Sequence, residues 1–279
     1  MNDTDAPTKA LPRARRRDAA SGIGERRVCA AIVQDAWAWR LSWPGAAGGF
    51  VGRSWRPRAG SDDPPDKLAA ALTELGAGPT LVEAEQVHAG EVARVTAATL
   101  GGAQEDRRGL GVAGLLELSG ADGLVTDAPG AVLAVYVADC LALWLHDPRR
   151  GVVGLAHAGW RGLAAGMPAN LVRAALGFGG RAEELHVALS PCIRACCFEV
   201  GEEVAAVFAG VPGAVDGSGA KPHVDLIAVA QAQLTQAGVA AARIEVVPGC
   251  TRCEPERFAS YRHDPVNCGR NVALIALEG

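Results

Sequence analysis

No stretch of this 279-residue sequence is apolar enough to cross a bilayer. The longest apolar run, Gly130 to Leu145, carries Asp139 and falls short of the roughly 18 to 20 residues a spanning helix needs. It is read instead as a buried strand and its exit, and no membrane partner is expected. Net positive charge is also missing: 27 Lys and Arg face 31 Asp and Glu, leaving −4. Such a chain has no general field to collect nucleic acid and no polybasic surface for anionic lipid, so small molecules are the expected partners. The basic residues Arg13, Arg15, Arg16 and Arg17 are followed by no apolar segment, which excludes a secretory or twin-arginine signal in the reading and predicts a cytoplasmic protein.

Cysteine is too sparse for a disulfide scaffold, with eight in the chain, so thiols or metal ligands are expected. No linker and no internal repeat interrupts the sequence after its start. Residues 1–24, rich in Asp, Ala, Pro and Arg without apolar periodicity, predict a flexible tail; residues 25–279 predict one domain. Hydrophobic residues at 49% and charged residues at 21% match ordinary globular composition.

Strand and helix signals alternate along that domain. Val28 to Val33 is an apolar run, and Trp37, Trp39, Leu41 and Trp43 alternate with smaller or polar residues at a strand's period of two. After a loop-like segment from Gly45 to Asp63, Pro65 opens a helix with Leu68, Leu72 and Leu75 on one face, stopped by Gly76. Strands are predicted at Thr80 to Glu83, resuming near Val87, then at Ala131 to Ala138, Val152 to Ala156, Leu185 to Leu189, Ile244 to Val247 and Val272 to Leu277. Helices are predicted at Arg161 to Leu176, Val200 to Phe208 and, with Asp225 as N-cap, to Gln236. Gly101 to Gly120 shows no period and reads as an irregular insertion. The expected fold is mixed α/β (α+β): one domain of mixed sheets flanked by helices in a layered sandwich.

Three donors stand at predicted strand ends: His88, Cys140 and His157. Imidazole and thiolate suit zinc or copper, and three protein ligands leave a fourth tetrahedral position open, as in catalytic zinc sites. Separations of 52 and 17 residues satisfy no short metal motif, so residue type alone leaves packing or hydrogen bonding as the commoner explanation. Asp139, beside Cys140, either orients that ligand or caps a turn. Cys192, Cys196 and Cys197 cluster, and Cys250 and Cys253 form a CxxC. The second half of a CxxC pair is missing, and adjacent cysteines do not replace it at normal spacing, so these thiols read as packing or rim residues. His146, His186 and His263 read as hydrogen-bonding residues.

The segments Gln86-Val-His88, Ala121-Asp-Gly-Leu-Val-Thr-Asp127, Ala138-Asp-Cys140, His157-Ala-Gly-Trp-Arg-Gly162, Pro191-Cys-Ile, Cys197-Phe-Glu-Val, Ser260-Tyr-Arg262 and Gly269-Arg270 stand in the order of the laccase-domain family. That family is also called polyphenol oxidase or peptidoglycan editing factor, and the chain resembles its purine nucleoside phosphorylase type from about Leu81 onward; the N-terminal third matches weakly. The resemblance implies one α/β domain with a metal held by His88, Cys140 and His157. It implies phosphorolysis of adenosine, inosine and methylthioadenosine, with adenosine deamination, so purine nucleosides and phosphate are the implied partners. Cys140, His157 and Arg161 are the candidate catalytic residues, and Arg161, Arg262, Arg270 and His223 the candidates for substrate or phosphate. Zinc is the expected metal, with copper an alternative; six histidines are too few for several coppers, which disfavours phenol oxidation. Departures from the family pattern at Ser190, His263, Ala142 and Phe198 touch no ligand and bear on substrate range. Two alternatives stay open: a metal-free cysteine hydrolase with Cys140 as nucleophile and His157 or His88 as base, and a cell-wall precursor editing factor acting through binding. The sequence sets no oligomeric state, and a monomer is compatible with it.

Overall fold

The computed structural model describes residues 38–55, 66–76 and 80–278. The tail expected over 1–24, the run Val28 to Val33, Trp37 and Pro65 lie outside them. In chain order the elements are β1 (Trp39–Trp43), β2 (Ala46–Trp55), α1 (Asp66–Glu74), β3 (Thr80–Ala84), β4 (Val92–Val95), the single turn α2 (Ala97–Leu100), β5 (Gly114–Leu118), β6 (Gly123–Thr126), β7 (Ala131–Val137), β8 (Leu141–Asp147) and β9 (Val152–Ala158). There follow α3 (Trp160–Ala164), α4 (Met167–Leu176), β10 (His186–Leu189), α5 (Glu202–Phe208), β11 (Val215–Asp216), β12 (His223–Val224), α6 (Leu226–Gln236), β13 (Ile244–Val246) and β14 (Arg270–Leu277).

Two six-stranded mixed sheets, ordered β1-β2-β14-β7-β3-β5 and β13-β10-β8-β9-β6-β4, stack face to face. Strand alternation explains the layering. In β8, Ala142 and Trp144 point at the first sheet, against Trp39, Phe50 and Val135, while Leu141, Leu143 and Leu145 point the other way, onto α4 and α6. Strands buried on both faces read as continuous apolar runs, which is why Ala131 to Val137 and Val152 to Ala158 are so legible. On the outer face of the first sheet, Leu68 and Leu72 of α1 pack on Leu81, Val132 and Leu274. The result is helix on sheet on sheet on helix, a layered sandwich of mixed sheets flanked by helices, as the element pattern predicts.

Several local readings give way. The segment read as a loop from Gly45 holds β2 as far as Trp55, and the strand expected to resume near Val87 begins instead at Val92, with Val87 itself exposed before it. Gly101 to Gly120 contains a strand: β5 pairs parallel with β3, Thr80 opposite Gly114, its short Gly-Leu-Leu-Glu-Leu sequence hidden among glycines. The helix predicted from Arg161 to Leu176 is two helices, α3 and α4, broken where Gly166 takes φ +76. Pro168 fits the break because α4 begins at Met167, so the missing N–H falls in the first turn, where no helical partner exists.

His146 tests the packing between the sheets. Its ring is 1% exposed, stacks on Trp43 at 5.6 Å, and lies opposite His186 on β10. Burial, then the neighbouring His186, pushes its pKa from 6.5 down to about 4. The folded state therefore holds this ring neutral while the unfolded chain takes up a proton below pH 6.5. The associated stability is fully present above about pH 6.5 and falls as pH drops toward about 4, by about 3 kcal/mol. Urea midpoints across that window should show the fall, and His146→Leu should flatten it; an unchanged slope in the variant refutes the assignment.

Candidate metal centre

Topology gathers the functional side chains. Strands β3, β5 and β7 run parallel to one end of the first sheet, and from each the chain crosses to the second sheet, where β4, β6 and β8 begin. Strand β9 runs antiparallel to β6 and β8 and so returns to the same end. The crossovers carry His88, Asp122 and Cys140 respectively, and β9 delivers His157. Three residues at this end, Gln86, His88 and Asp139, have left-handed φ of 64, 63 and 86°. Non-glycine residues are held there at a cost of about 1–3 kcal/mol each, a price met where the surroundings over-determine them.

Those surroundings are visible. The Gln86 side chain donates through Nε2 to the Tyr136 carbonyl at 2.6 Å and accepts the Tyr136 N–H at 2.7 Å, replacing the ladder that β3 no longer supplies. Asp139 accepts the Thr251 hydroxyl and the Arg262 N–H, both at 2.6 Å, and its carbonyl accepts the Ile193 N–H at 2.9 Å. Thus Asp139 orients the crossover that carries Cys140 and ties three later loops to it.

His88, Cys140 and His157 come together, with one donor atom from each within 4.8 Å of the others. The two imidazoles meet edge to face, centroids 4.7 Å apart. Asp122, fully buried, accepts the His88 and Ala89 N–H groups at 2.9 and 2.7 Å and meets His157 Nδ1 at 2.9 Å. A carboxylate accepts, so Nδ1 donates to it and Nε2 faces Cys140 and His88, the orientation a metal ligand needs. Burial raises the Cys140 thiol, but hydrogen bonds with His157 and His88 outweigh it and bring the group down to about 7. Burial lowers His157, and its bonds to Asp122 and Cys140 override that, to about 9. A readily ionised thiol beside two imidazoles is a donor set that fits zinc or another borderline-to-soft ion.

Gly159 leaves room for the cluster. A Cβ at this position would stand 2.9 Å from Cys140 Sγ and 3.7 Å from His88 Cδ2. Gly159→Ala should therefore push the sulfur out of place, lowering metal content and destabilising the fold by about 1–3 kcal/mol. Metal analysis beside a thermal melt checks it; a variant with unaltered metal content would show that the sulfur needs no such room.

The three donors open into a cleft of about 730 Å³, whose walls include Glu83, Gln86, Arg108, Glu117, Tyr136, Trp160, Arg161, Phe198, Tyr261, Arg262 and Arg270. Arg161 projects from α3 with its guanidinium 4.4 Å over the Trp160 ring. Arg262 donates to the Glu199 carbonyl at 2.9 Å, and Arg270 to the Gly269 carbonyl at 2.8 Å. His223 stands apart: it is in β12, bridged to Glu199, and is not among the residues lining the cleft. The five-residue α3 is also too short to add an anion site at its N-terminus to the Arg161 side chain.

Several residues in and beneath the cleft wall escape a reading by residue type. Asp122 lies in the quoted Ala-Asp-Gly segment, but only geometry shows it beneath His157. Glu83 accepts from Arg108 at 3.0 Å and from the Tyr136 hydroxyl; burial and then the Glu83 charge hold that phenol above its ordinary range. Nothing in the local pattern of Glu83, Arg108 or Tyr136 marks this network.

The family model described as multi-copper polyphenol oxidoreductase laccase matches residues 62–278. A purine nucleoside phosphorylase of Deinococcus radiodurans is 40% identical over 159 residues, 56% of this chain and 61% of that protein. Adenosine deaminase RL5, from an unknown prokaryotic organism, is 36% identical over 57% of this chain and 63% of its own length. The matched region thus spans about three-fifths of these two relatives. The crystal structure of YlmD from Geobacillus stearothermophilus superposes with a TM-score of 0.75 at 29% identity, covering 90% of this chain and 99% of that one. With the motifs, the fold and the matched residues in agreement, the chain belongs to the multi-copper polyphenol oxidoreductase laccase family.

Proposed function

We propose that this chain is a zinc-dependent purine nucleoside enzyme, which phosphorolyses adenosine, inosine and methylthioadenosine to free base and the ribose 1-phosphate, and deaminates adenosine. The observation that carries the reading is a three-donor set, His88, Cys140 and His157, with its open side on a cleft walled by both carboxylates and arginines. Relatives bearing phosphorylase and deaminase names support it. When bound, zinc supplies Lewis-acid polarisation and makes water a nucleophile near neutral pH.

The chain's own residues do the rest. Asp122 holds His157 in one tautomer and orientation. Trp160, Phe198 and Tyr261 offer faces for a purine, and Glu83, Gln86 and Glu117 offer acceptors for ribose hydroxyls or an exocyclic amine. Arg161, Arg262 and Arg270 provide cationic donors for phosphate. The donor chemistry argues against multicopper oxidation: among the described residues the two candidate metal-holding groups contain two histidines in all, whereas several coppers need many imidazoles.

Metal analysis combined with a nucleoside panel tests the reading. Inosine with phosphate should release hypoxanthine, and adenosine without phosphate should release ammonia. Metal-replete protein that leaves both untouched refutes it. A second reading rests on the same geometry: without metal, Cys140 flanked by two imidazoles is a thiolate–imidazole pair for nucleophilic hydrolysis. Full activity in metal-free protein, abolished by thiol alkylation, favours that reading instead.

A further inference from the structure

Four cysteines that the linear sequence separates form a second cluster. Cys196 Sγ lies 3.7 Å from Cys197 Sγ, 3.7 Å from Cys250 Sγ and 3.8 Å from Cys253 Sγ. Cys197 and Cys253 are 3.3 Å apart, and all four sulfurs lie within 4.8 Å of one another. Four thiolates at the ordinary zinc–sulfur distance form a tetrahedron with edges of about 3.8 Å. The observed spacings cluster around that edge, and they are far from the roughly 2.05 Å of a disulfide. All four are free thiols. Such crowding has no packing rationale: Cys196 and Cys253 are exposed, and sulfhydryls gain little from one another as weak donors and acceptors.

The backbone is arranged for a bound ion. Cys192 and Cys250 form a parallel bridge that lays the turn at 194–198 beside the turn at 250–254. The first turn is closed by Cys197 and Phe198 N–H groups donating to the Arg194 carbonyl at 2.8 and 2.9 Å, the second by the Glu254 N–H donating to the Cys250 carbonyl at 3.0 Å. Adjacent cysteines on one turn and a CxxC on the other thus replace the paired CxxC motifs that sequence spacing demands.

We propose that Cys196, Cys197, Cys250 and Cys253 bind a structural zinc ion as a closed tetrathiolate, separate from the three-donor centre. Each thiol releases its proton to solvent as it ligates, with no change in oxidation state. The ion joins two turns that frame the cleft: Phe198 on the first and Thr251, the Asp139 partner, on the second. With all four positions filled by sulfur, it has no vacancy for substrate.

The test is metal stoichiometry in full-length protein purified under reducing conditions. Cys196→Ser/Cys253→Ser should lose one zinc equivalent relative to the unsubstituted chain. That difference is read whatever the three-donor centre holds. Cys140→Ser, which disrupts the other site, should keep one equivalent. Should the double variant fail to fold, cobalt loaded into the Cys140→Ser protein gives the answer: intense tetrahedral d–d absorption with sulfur-to-cobalt charge transfer is expected. Unchanged stoichiometry in a folded double variant overturns the proposal. So does the absence of tetrathiolate bands, or a non-reduced intact mass showing these cysteines joined as disulfides.

Discussion

Asp122→Ala should cost about 3–5 kcal/mol of folding stability, the range seen when one partner of a buried charged network is removed. Asp122 is fully buried and holds three donors at once: the His88 N–H, the Ala89 N–H and His157 Nδ1. Burial pushes its carboxyl up, yet the bonds from His157, Ala89 and His88 hold it below its ordinary value. Removing it leaves these donors facing an apolar void, each uncompensated bond costing about 1–3 kcal/mol. Urea unfolding in the presence of chelator isolates this loss from any metal contribution.

Asp122→Asn separates stability from ligand orientation. Asparagine keeps the volume and one acceptor oxygen, so much of the backbone bonding survives. Its amide cannot accept from all three donors, and an amide N–H turned to His157 Nδ1 would favour the wrong tautomer. Metal affinity should fall about 10- to 100-fold with a much smaller drop in urea midpoint than in the alanine variant. An asparagine variant that binds metal as the unsubstituted protein does would remove Asp122 from the centre's design.

The legible and illegible parts of this site differ in range. His88, Cys140 and His157 can be picked out because each donor follows or ends an apolar strand run, and because the motifs around them have a fixed order. Their convergence depends on three crossovers between sheets, and strand order cannot be read from periodicity. Asp122 sits inside a quoted motif, yet a carboxylate declares its partner only when β5 and β6 bring it under β9. Pro168 was a usable signal for the break between α3 and α4, because a proline inside a helical pattern ends or kinks it. The four-cysteine cluster was hidden for a different reason. A paired-CxxC pattern presumes that one ion is held by two similar loops, whereas here a bridge from Cys192 to Cys250 joins dissimilar turns.

His88→Ala and Cys140→Ser together distinguish a metal centre from a thiol nucleophile. Under the metal reading both variants lose a ligand of three, so both should lose the metal of the three-donor centre, whatever the four-cysteine cluster keeps, and fall about 10²–10⁴-fold in kcat/KM for phosphorolysis and deamination alike. Serine nearly preserves the shape of Cys140, but a hydroxyl does not ionise near neutral pH, whereas this thiol is tuned to about 7. Under the nucleophile reading the two positions are unequal. Cys140 carries the reaction, while His157, held at 2.9 Å by Asp122 and buried beside the sulfur, remains as its base after His88 is removed. Only Cys140→Ser would then be inactive. Parallel loss of metal and activity in both variants is the expected result. A His88→Ala protein that keeps its kcat/KM while Cys140→Ser is inactive would replace the metal with a thiolate as the source of the chemistry. His88 is the more discriminating position because it is exposed at the mouth of the centre: its removal empties a coordination place without opening a buried cavity, so a loss of activity there cannot be charged to unfolding.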